Sequence, residues 1–403
     1  MPFPSGLRAL DHPDFRRFYL AQLAALVSGW MHTVALSWLV LQLTDSPFRL
    51  GLIGTLQFGP ILLLSAFTGV AADRLPKRNV LVTTQLTLAV LAFVLAALVA
   101  AGVVRYWHVG VIAVLAGVTQ AFDAPARQSY IAELVARRDL VNAVALNSAS
   151  FNAARIVGPA VAGLVIARYG VVPAFIVNAL GILVVGLALF TLPPGRPSGR
   201  RGGSVLEEIA EGVQYAVRTP VVRVVLGMLL VVSITVFNFT VYVPLLARQV
   251  LGLGAEGFGF LMAALGVGAV TGALTVGMRR APEPPLTEML AAGAVAVSGL
   301  LGLSAVRHVW AAVPLLFVTG LSGLMLVASC NTRLQLSTPD ELRGRMMSLY
   351  TLLWGGMYPI GAFCVGAISE AWGVSTAFFV QGAAGLTGFA ALTLWWRRRT
   401  AAS

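Results

Sequence analysis

Apolar runs of about 20 residues recur along this chain, each bounded by charged residues or by Gly and Pro. That length is what an α-helix needs to cross a hydrocarbon layer ~30 Å thick. Spans are read near Phe18 to Leu41, Leu50 to Ala72, Val80 to Ala101, Trp107 to Ala124, Ser148 to Ala167 and Val171 to Leu192. Six more follow near Val221 to Leu246, Gly257 to Met278, Thr287 to Ser304, Trp310 to Cys330, Met346 to Ser369 and Val374 to Trp396. With 58% hydrophobic and only 11% charged residues, the chain lacks the charge to cover a water-soluble surface. Backbone in lipid must satisfy its own hydrogen bonds, so the expected fold class is an all-α polytopic membrane protein with 12 transmembrane helices. Cys330 and Cys364 both fall in apolar runs and offer no disulfide framework. The polar stretch from Met1 to Arg17 and the long first run argue against a cleavable leader.

Orientation follows from the 28 Lys and Arg. With the N-terminus in the cytoplasm, 22 fall on the cytoplasmic side, five on the other, and Arg155 lies inside a span. That asymmetry is a strong positive-inside signal, and it places both termini in the cytoplasm. The net charge of +12 then reads as topology plus attraction to anionic membrane lipid, with no nucleic-acid partner expected.

Between the sixth and seventh spans, Pro193 to Gly203 is rich in Pro, Gly and Arg and reads as a linker. Ser204 and Glu207 then form a capping box, and Val205, Ile209, Val213 and Val217 share one helical stripe, predicting a short amphipathic helix along the inner membrane surface. The expected domains are 1–192, a linker with that helix over 193–219, and 220–403. An internal repeat links the two halves. At one offset of 203, Gly158, Gly163, Tyr169, Gly170, Val171, Ala174 and Phe175 recur as Gly361, Gly366, Trp372, Gly373, Val374, Ala377 and Phe378. Gly69 and Lys77 recur as Gly272 and Arg280. Six spans separate the copies, so the halves share one orientation, the parallel-repeat arrangement of two six-helix bundles.

The loop after the second span reads Gly69-Val-Ala-Ala-Asp73-Arg74-Leu-Pro76-Lys77-Arg78 and resembles the signature of the major facilitator superfamily, with Pro76 in place of the usual Gly. The resemblance implies the major facilitator fold, two pseudo-symmetric six-helix bundles. It also implies a charge-dipole latch of Gly69, Asp73, Arg74, Lys77 and Arg78 against the start of the eleventh span near Met346, with Arg343 and Arg345 nearby. The second copy keeps Gly272, Arg279 and Arg280 but has Val276 where the Asp would stand, so the latch is expected in one copy only. In the fifth span, Gly158-Pro159-Ala-Val-Ala162-Gly163 resembles the antiporter signature of exporters in the superfamily. A longer resemblance covers nearly the whole chain. It rests on Phe122-Asp123-Ala-Pro125-Ala-Arg127-Gln128, Glu133-Leu134-Val, Asn147-Ser148, Asn152-x-x-Arg155-x-x-Gly158-Pro159, Trp30-Met31 and Pro339-Asp340-Glu341-Leu342-Arg343-Gly344-Arg345. These are similar to the enterobactin-exporter-like branch, the drug:proton antiporter-3 family. What this implies is proton-driven efflux of siderophores, macrolides or other amphipathic drugs, hence a multidrug-resistance or siderophore-export role, from the inner membrane of a bacterium. A monomer is expected to suffice.

Ionisable groups inside the membrane are costly and therefore functional candidates. Three stand out as coupling candidates: Arg155, Asp123 and His32. A long Arg155 side chain reaching Asp123 in a buried structural pair is the alternative to a coupling role. The superfamily's usual relay Arg in the fourth span has no counterpart between Val109 and Thr119. If the superfamily fold holds, the cavity is lined by Trp30, Thr33, Trp38, Gln120, Asn238 and Tyr242, with Gln57, Asn152, Trp354 and Tyr358 from flanking helices. Aromatics mixed with neutral polar groups suit an amphipathic ligand. No carboxylate lies at mid-membrane, whereas Arg155 offers a partner to an anionic cargo.

Rival readings are limited. An ATP-driven pump needs a phosphate-binding loop ending in Gly-Lys, and Lys77, the sole lysine, follows Pro76. An intramembrane serine protease would rest on Gly320-Leu-Ser322-Gly323 but needs a base near Ser322. A carrier or importer without proton coupling remains the nearer alternative. No metal or cofactor is expected.

Overall fold

The computed structural model describes residues 5–195, 205–279 and 283–400, with the side chains at 5–6, 65–67, 69–74, 205–209 and 400 outside the description. No strand occurs among the described residues. The first six long helices are α1 (Pro13–Thr44), α2 (Pro47–Arg74), α3 (Lys77–Ala100), α4 (Tyr106–Leu134), α5 (Leu140–Tyr169) and α6 (Val172–Phe190). After α7 (Val205–Arg218) come α8 (Pro220–Thr235), α9 (Phe239–Leu245), α10 (Ala255–Gly277), α11 (Leu286–Ser304), α12 (Val309–Leu336), α13 (Asp340–Gly356), α14 (Tyr358–Trp372) and α15 (Val374–Thr400). Twelve stretches are long and apolar enough to cross a membrane, and each overlaps one expected span. The fold is the all-helical, twelve-span arrangement that the apolar runs predict. Several sequence features lie outside the described residues or side chains: Gly69, Asp73, Arg74, Arg280, most of the linker, the Ser204/Glu207 box, Val205 and Ile209.

Contacts sort the chain into two compact units, Met1–Asp45 with Gly59–Gly202, and Ser46–Phe58 with Gly203–Ser403. In the first, α6 packs against α1 and α3, α1 against α5, and α3 against α4. In the second, α15 packs against α8 and α11, α8 against α13 and α14, and α11 against α12. Every pairing of the first unit thus recurs six spans later. The helix stops recur too. Gly170 ends α5 at φ 76° and Gly373 ends α14 at φ 87°, a left-handed backbone that favours glycine, and their N–H groups donate to Ile166 and Ser369. Just beyond, Phe175 and Phe378 fill equivalent buried positions.

Close helix contact depends on missing side chains. A Cβ at Gly272 would strike the Leu321 backbone, and one at Gly320 would strike that of Leu265, so α10 and α12 meet backbone to backbone. Gly272 is the second-copy counterpart of Gly69.

Two spans read as single helices are each in two pieces. The seventh breaks between α8 and α9, and its second piece carries Pro244, which cannot donate to the preceding turn. The eleventh breaks at Met357, after Gly355-Gly356 and before Pro359. Periodicity did not show these breaks because apolar residues run through both.

Helix α7 packs on α13 and α8 through its small face. Gly212 lies against Met346 and Leu349, Ala216 is buried, and the Tyr215 hydroxyl donates to the Ser337 carbonyl. Val213 and Val217, the described part of the predicted stripe, are exposed. This described part of the stripe therefore points away from the protein.

Candidate functional site

The best-satisfied ionisable group in the first unit is Asp123, on α4. Its Oδ1 accepts from Thr84 Oγ1 and Gln85 Nε2, both at 2.7 Å, and its Oδ2 accepts from Arg127 Nε at 2.8 Å and Nη2 at 2.7 Å. Four donors occupy the roughly four acceptor positions a carboxylate has. Arg127 extends the network through Gln22 on α1 to Asn147 on α5, where Gln22 Nε2 donates to Asn147 Oδ1 at 2.9 Å. The pairing expected as an alternative, Asp123 with Arg155, does not form: Arg127 sits one helical turn away on the same helix, where an i,i+4 fork needs little side-chain ordering. The i,i+4 spacing of Asp123 and Arg127 was the signal for this pair, whereas nothing in sequence pointed to Thr84, Gln85 or Gln22.

Arg155, on α5, is buried at 8% exposure, and no hydrogen-bond partner reaches its Nε or Nη2. Along the same face, Phe151 meets the Trp30 ring edge to face at 5.9 Å, and a Cβ on Gly158 would press to 2.5 Å from the Trp30 Cβ. The glycine of the antiporter signature therefore lets α5 lie directly on α1. Pro159 and Gly163 continue that helix, Pro159 buried and without an N–H to give. His32 packs edge to face on Phe175 at 5.2 Å, and its Nδ1 is buried without a hydrogen-bond partner. Of the other polar candidates, Thr33 returns its hydroxyl to the Gly29 carbonyl and Asn152 donates to the Ser148 carbonyl. Trp38 is buried in α1, and Gln57 and Gln120 stand half-buried in α2 and α4.

In the second unit the two helix breaks meet. Asn238 Nδ2 donates to the Ile234 carbonyl at 2.7 Å, and Tyr242 Oη donates to the Thr235 carbonyl at 3.1 Å. These two side chains, expected to face cargo, repair carbonyls at the break, while Asn238 Oδ1 stays buried without a partner. Tyr358 and Thr240 share a hydroxyl–hydroxyl hydrogen bond between the broken spans. Around them Phe237 meets Trp354 at 4.1 Å and Phe239 at 5.2 Å, and Phe58 meets Tyr358 at 4.5 Å. The structure thus places Trp354 against Phe237 and Tyr358 against Phe58 and Thr240, with Phe237 and Thr240 flanking Asn238 in the chain and Thr240 as the member sequence reasoning missed.

Four of the basic residues expected in the latch, Lys77, Arg78, Arg343 and Arg345, have partners within their own units. Lys77 pairs with Glu133 at the end of α4, and Arg78 Nη1 donates to the Leu192 carbonyl at 3.0 Å. Arg343 pairs with Asp340 at 2.5 Å and Arg345 with Glu211 on α7. Ser322 donates to the Val318 carbonyl, an ordinary helical bond.

A family model described as transmembrane secretion effector, of the major facilitator superfamily, matches residues 4–402. The chain is 30% identical to Enterobactin exporter EntS of Shigella boydii, over 84% of this chain and 81% of that protein. It is 23% identical to the Staphyloferrin A transporter of Staphylococcus aureus, over 91% of this chain and 92% of that one. Among solved structures, a bacterial homolog of the human lysosomal transporter Spinster, inward-facing and occupied, aligns with a TM-score of 0.74 at 12% identity over 98% of both chains. The nucleoside transporter NupG aligns at 0.70 and 11% identity, over 94% of this chain and 99% of that one. Twelve spans, a sixfold-offset pairing pattern and a match along almost the entire sequence lead to one conclusion: this chain is a member of the transmembrane secretion effector family of major facilitator transporters.

Proposed function

We propose that the protein is a secondary active transporter that exports small amphipathic molecules of the siderophore, macrolide or drug class by alternating access, as a proton antiporter in the bacterial inner membrane. The observation that carries this reading is the 30% identity to an enterobactin exporter over most of both chains. The polar and aromatic groups inside the spans suit it: an apolar body stacks on rings such as Phe237, Trp354 and Tyr358, and its few polar atoms seek partners among buried side chains. The charge-dipole latch, with Asp73 opposite the eleventh span, belongs to the same proposal, as do the domain limits 1–192, 193–219 and 220–403, cytoplasmic termini and function as a monomer.

Proteoliposomes holding a pH-sensitive dye test the reading when screened with siderophores and hydrophobic antibiotics. The expected result is cargo flux accompanied by proton movement in the opposite sense. Absence of flux for every class overturns it. A second reading, a carrier without proton coupling, is favoured by one observation: Asp123 already has a cationic partner and a full set of donors. Flux without proton movement selects that reading.

A further inference from the structure

One buried charge has no counterpart among the described residues. Arg155 is more than nine-tenths buried, and its Nε and Nη2 meet no acceptor among the described residues. By contrast, buried Lys77 is compensated by Glu133, and half-buried Arg127 by Asp123. Asp123 has no acceptor position left to offer. A guanidinium within a span is costly to bury without a countercharge. It does not escape that cost by losing its proton, as a lysine can. Its planar fork matches the two oxygens of a carboxylate, or a phenolate oxygen with its neighbour. On the same face, one turn to either side, Phe151 and Gly158 both meet Trp30, which supplies an aromatic wall beside the charge. Pro159 has no N–H to give the Arg155 carbonyl, which leaves a hydrogen-bond acceptor at the same rung.

We propose that Arg155 is the anchor for an oxyanion of the cargo, a carboxylate or phenolate carried on an apolar body that packs against Trp30. The assignment rests on the transport reading above and narrows it to anionic amphipaths. Loading then supplies the missing countercharge, so the cost of burying the guanidinium is offset only when cargo is present.

The test uses the full-length protein in vesicles and two probes with one apolar body, 1-pyrenebutyrate and 1-pyrenebutyramide. Binding is followed by energy transfer from tryptophan and referenced to protein-free vesicles. The wild type is expected to bind the carboxylate at least about tenfold more tightly than the amide. Arg155→Gln should reduce that ratio to within about twofold of unity, while Arg155→Lys, which keeps the charge but not the fork, should retain an intermediate preference. Equal affinities in the wild type overturn the assignment without recourse to any variant, which matters if Arg155→Gln fails to fold. A preference that survives Arg155→Gln in folded protein overturns it as well. The same ratio is expected in phosphatidylcholine vesicles and in vesicles containing phosphatidylglycerol; a preference confined to the latter would assign Arg155 to lipid headgroups instead. Binding of neither probe also overturns it, and siderophore flux in those vesicles would leave the transport reading standing.

Discussion

Replacing Asp123 by Asn removes the charge that Arg127 leans on but keeps an amide able to accept from Thr84 or Gln85. The guanidinium of Arg127 would then lie largely buried without compensation, a situation that costs about 3–5 kcal/mol when one member of a buried pair is removed. Thermal unfolding in detergent should show a marked loss for Asp123→Asn and partial recovery in the double variant Asp123→Asn, Arg127→Gln. Unchanged efflux in Asp123→Asn would reject a coupling role for this carboxylate. Tyr242→Phe offers a cleaner residue-scale measurement. It removes the hydroxyl that serves the Thr235 carbonyl but leaves the ring stacked on Phe378 at 4.8 Å. A loss of about 0.5–1.5 kcal/mol is expected, and a larger one would mean the break depends on this bond more than a single hydrogen bond explains. Asn238 and Tyr242 show why site residues were hard to read from sequence. A neutral polar side chain inside a span looks the same whether it awaits a ligand or satisfies a carbonyl a turn away.

At the scale of elements, glycine positions divide by what lies opposite them. A methyl group at Gly272 would meet the Leu321 backbone, which cannot swing aside, whereas nothing lies within 4 Å of one at Gly277 on the same helix. Gly272→Ala should therefore destabilise by about 1–3 kcal/mol, and Gly277→Ala should be neutral or slightly stabilising through helix propensity, by up to about 1 kcal/mol. Equal effects on thermal unfolding would show that α10 and α12 do not depend on this backbone contact. Helix α7 makes the opposite point about apolar residues. Val213 and Val217 are left outside while Gly212 and Ala216 take the protein face. The amphipathic pattern was legible, but which face meets which partner was not, since small residues carry no hydropathy signal. In the same way the twelve spans were legible from run length alone, while the breaks at Asn238 and Met357 were masked by the apolar residues on either side.

For the whole molecule, the placement of 22 of 28 basic residues on one side predicts a definite topology. A fluorescent reporter fused after Ser403 should light up in the cytoplasm, and an alkaline phosphatase fused there should stay inactive. Activity of the phosphatase would invert the orientation and move the linker helix to the outer face. The twofold repeat was also legible here, because glycines that end helices in left-handed backbone, Gly170 and Gly373, tolerate few substitutes. Direction of transport and choice of cargo were not. Direction follows from coupling and gradients, and cargo choice from which side chains lack partners, which shows only once the competing donors and acceptors around each, such as Thr84 and Gln85 about Asp123, are in place.

In the seventh span the two segments are fastened by side-chain tethers, Asn238 to Ile234 and Tyr242 to Thr235, where a continuous helix would have only its own rungs. A tether on rotatable bonds can follow a swing of several degrees that a rung cannot. With these side-chain donors in place, the Ile234 and Thr235 carbonyls stay satisfied although the backbone rungs of the helix are interrupted there.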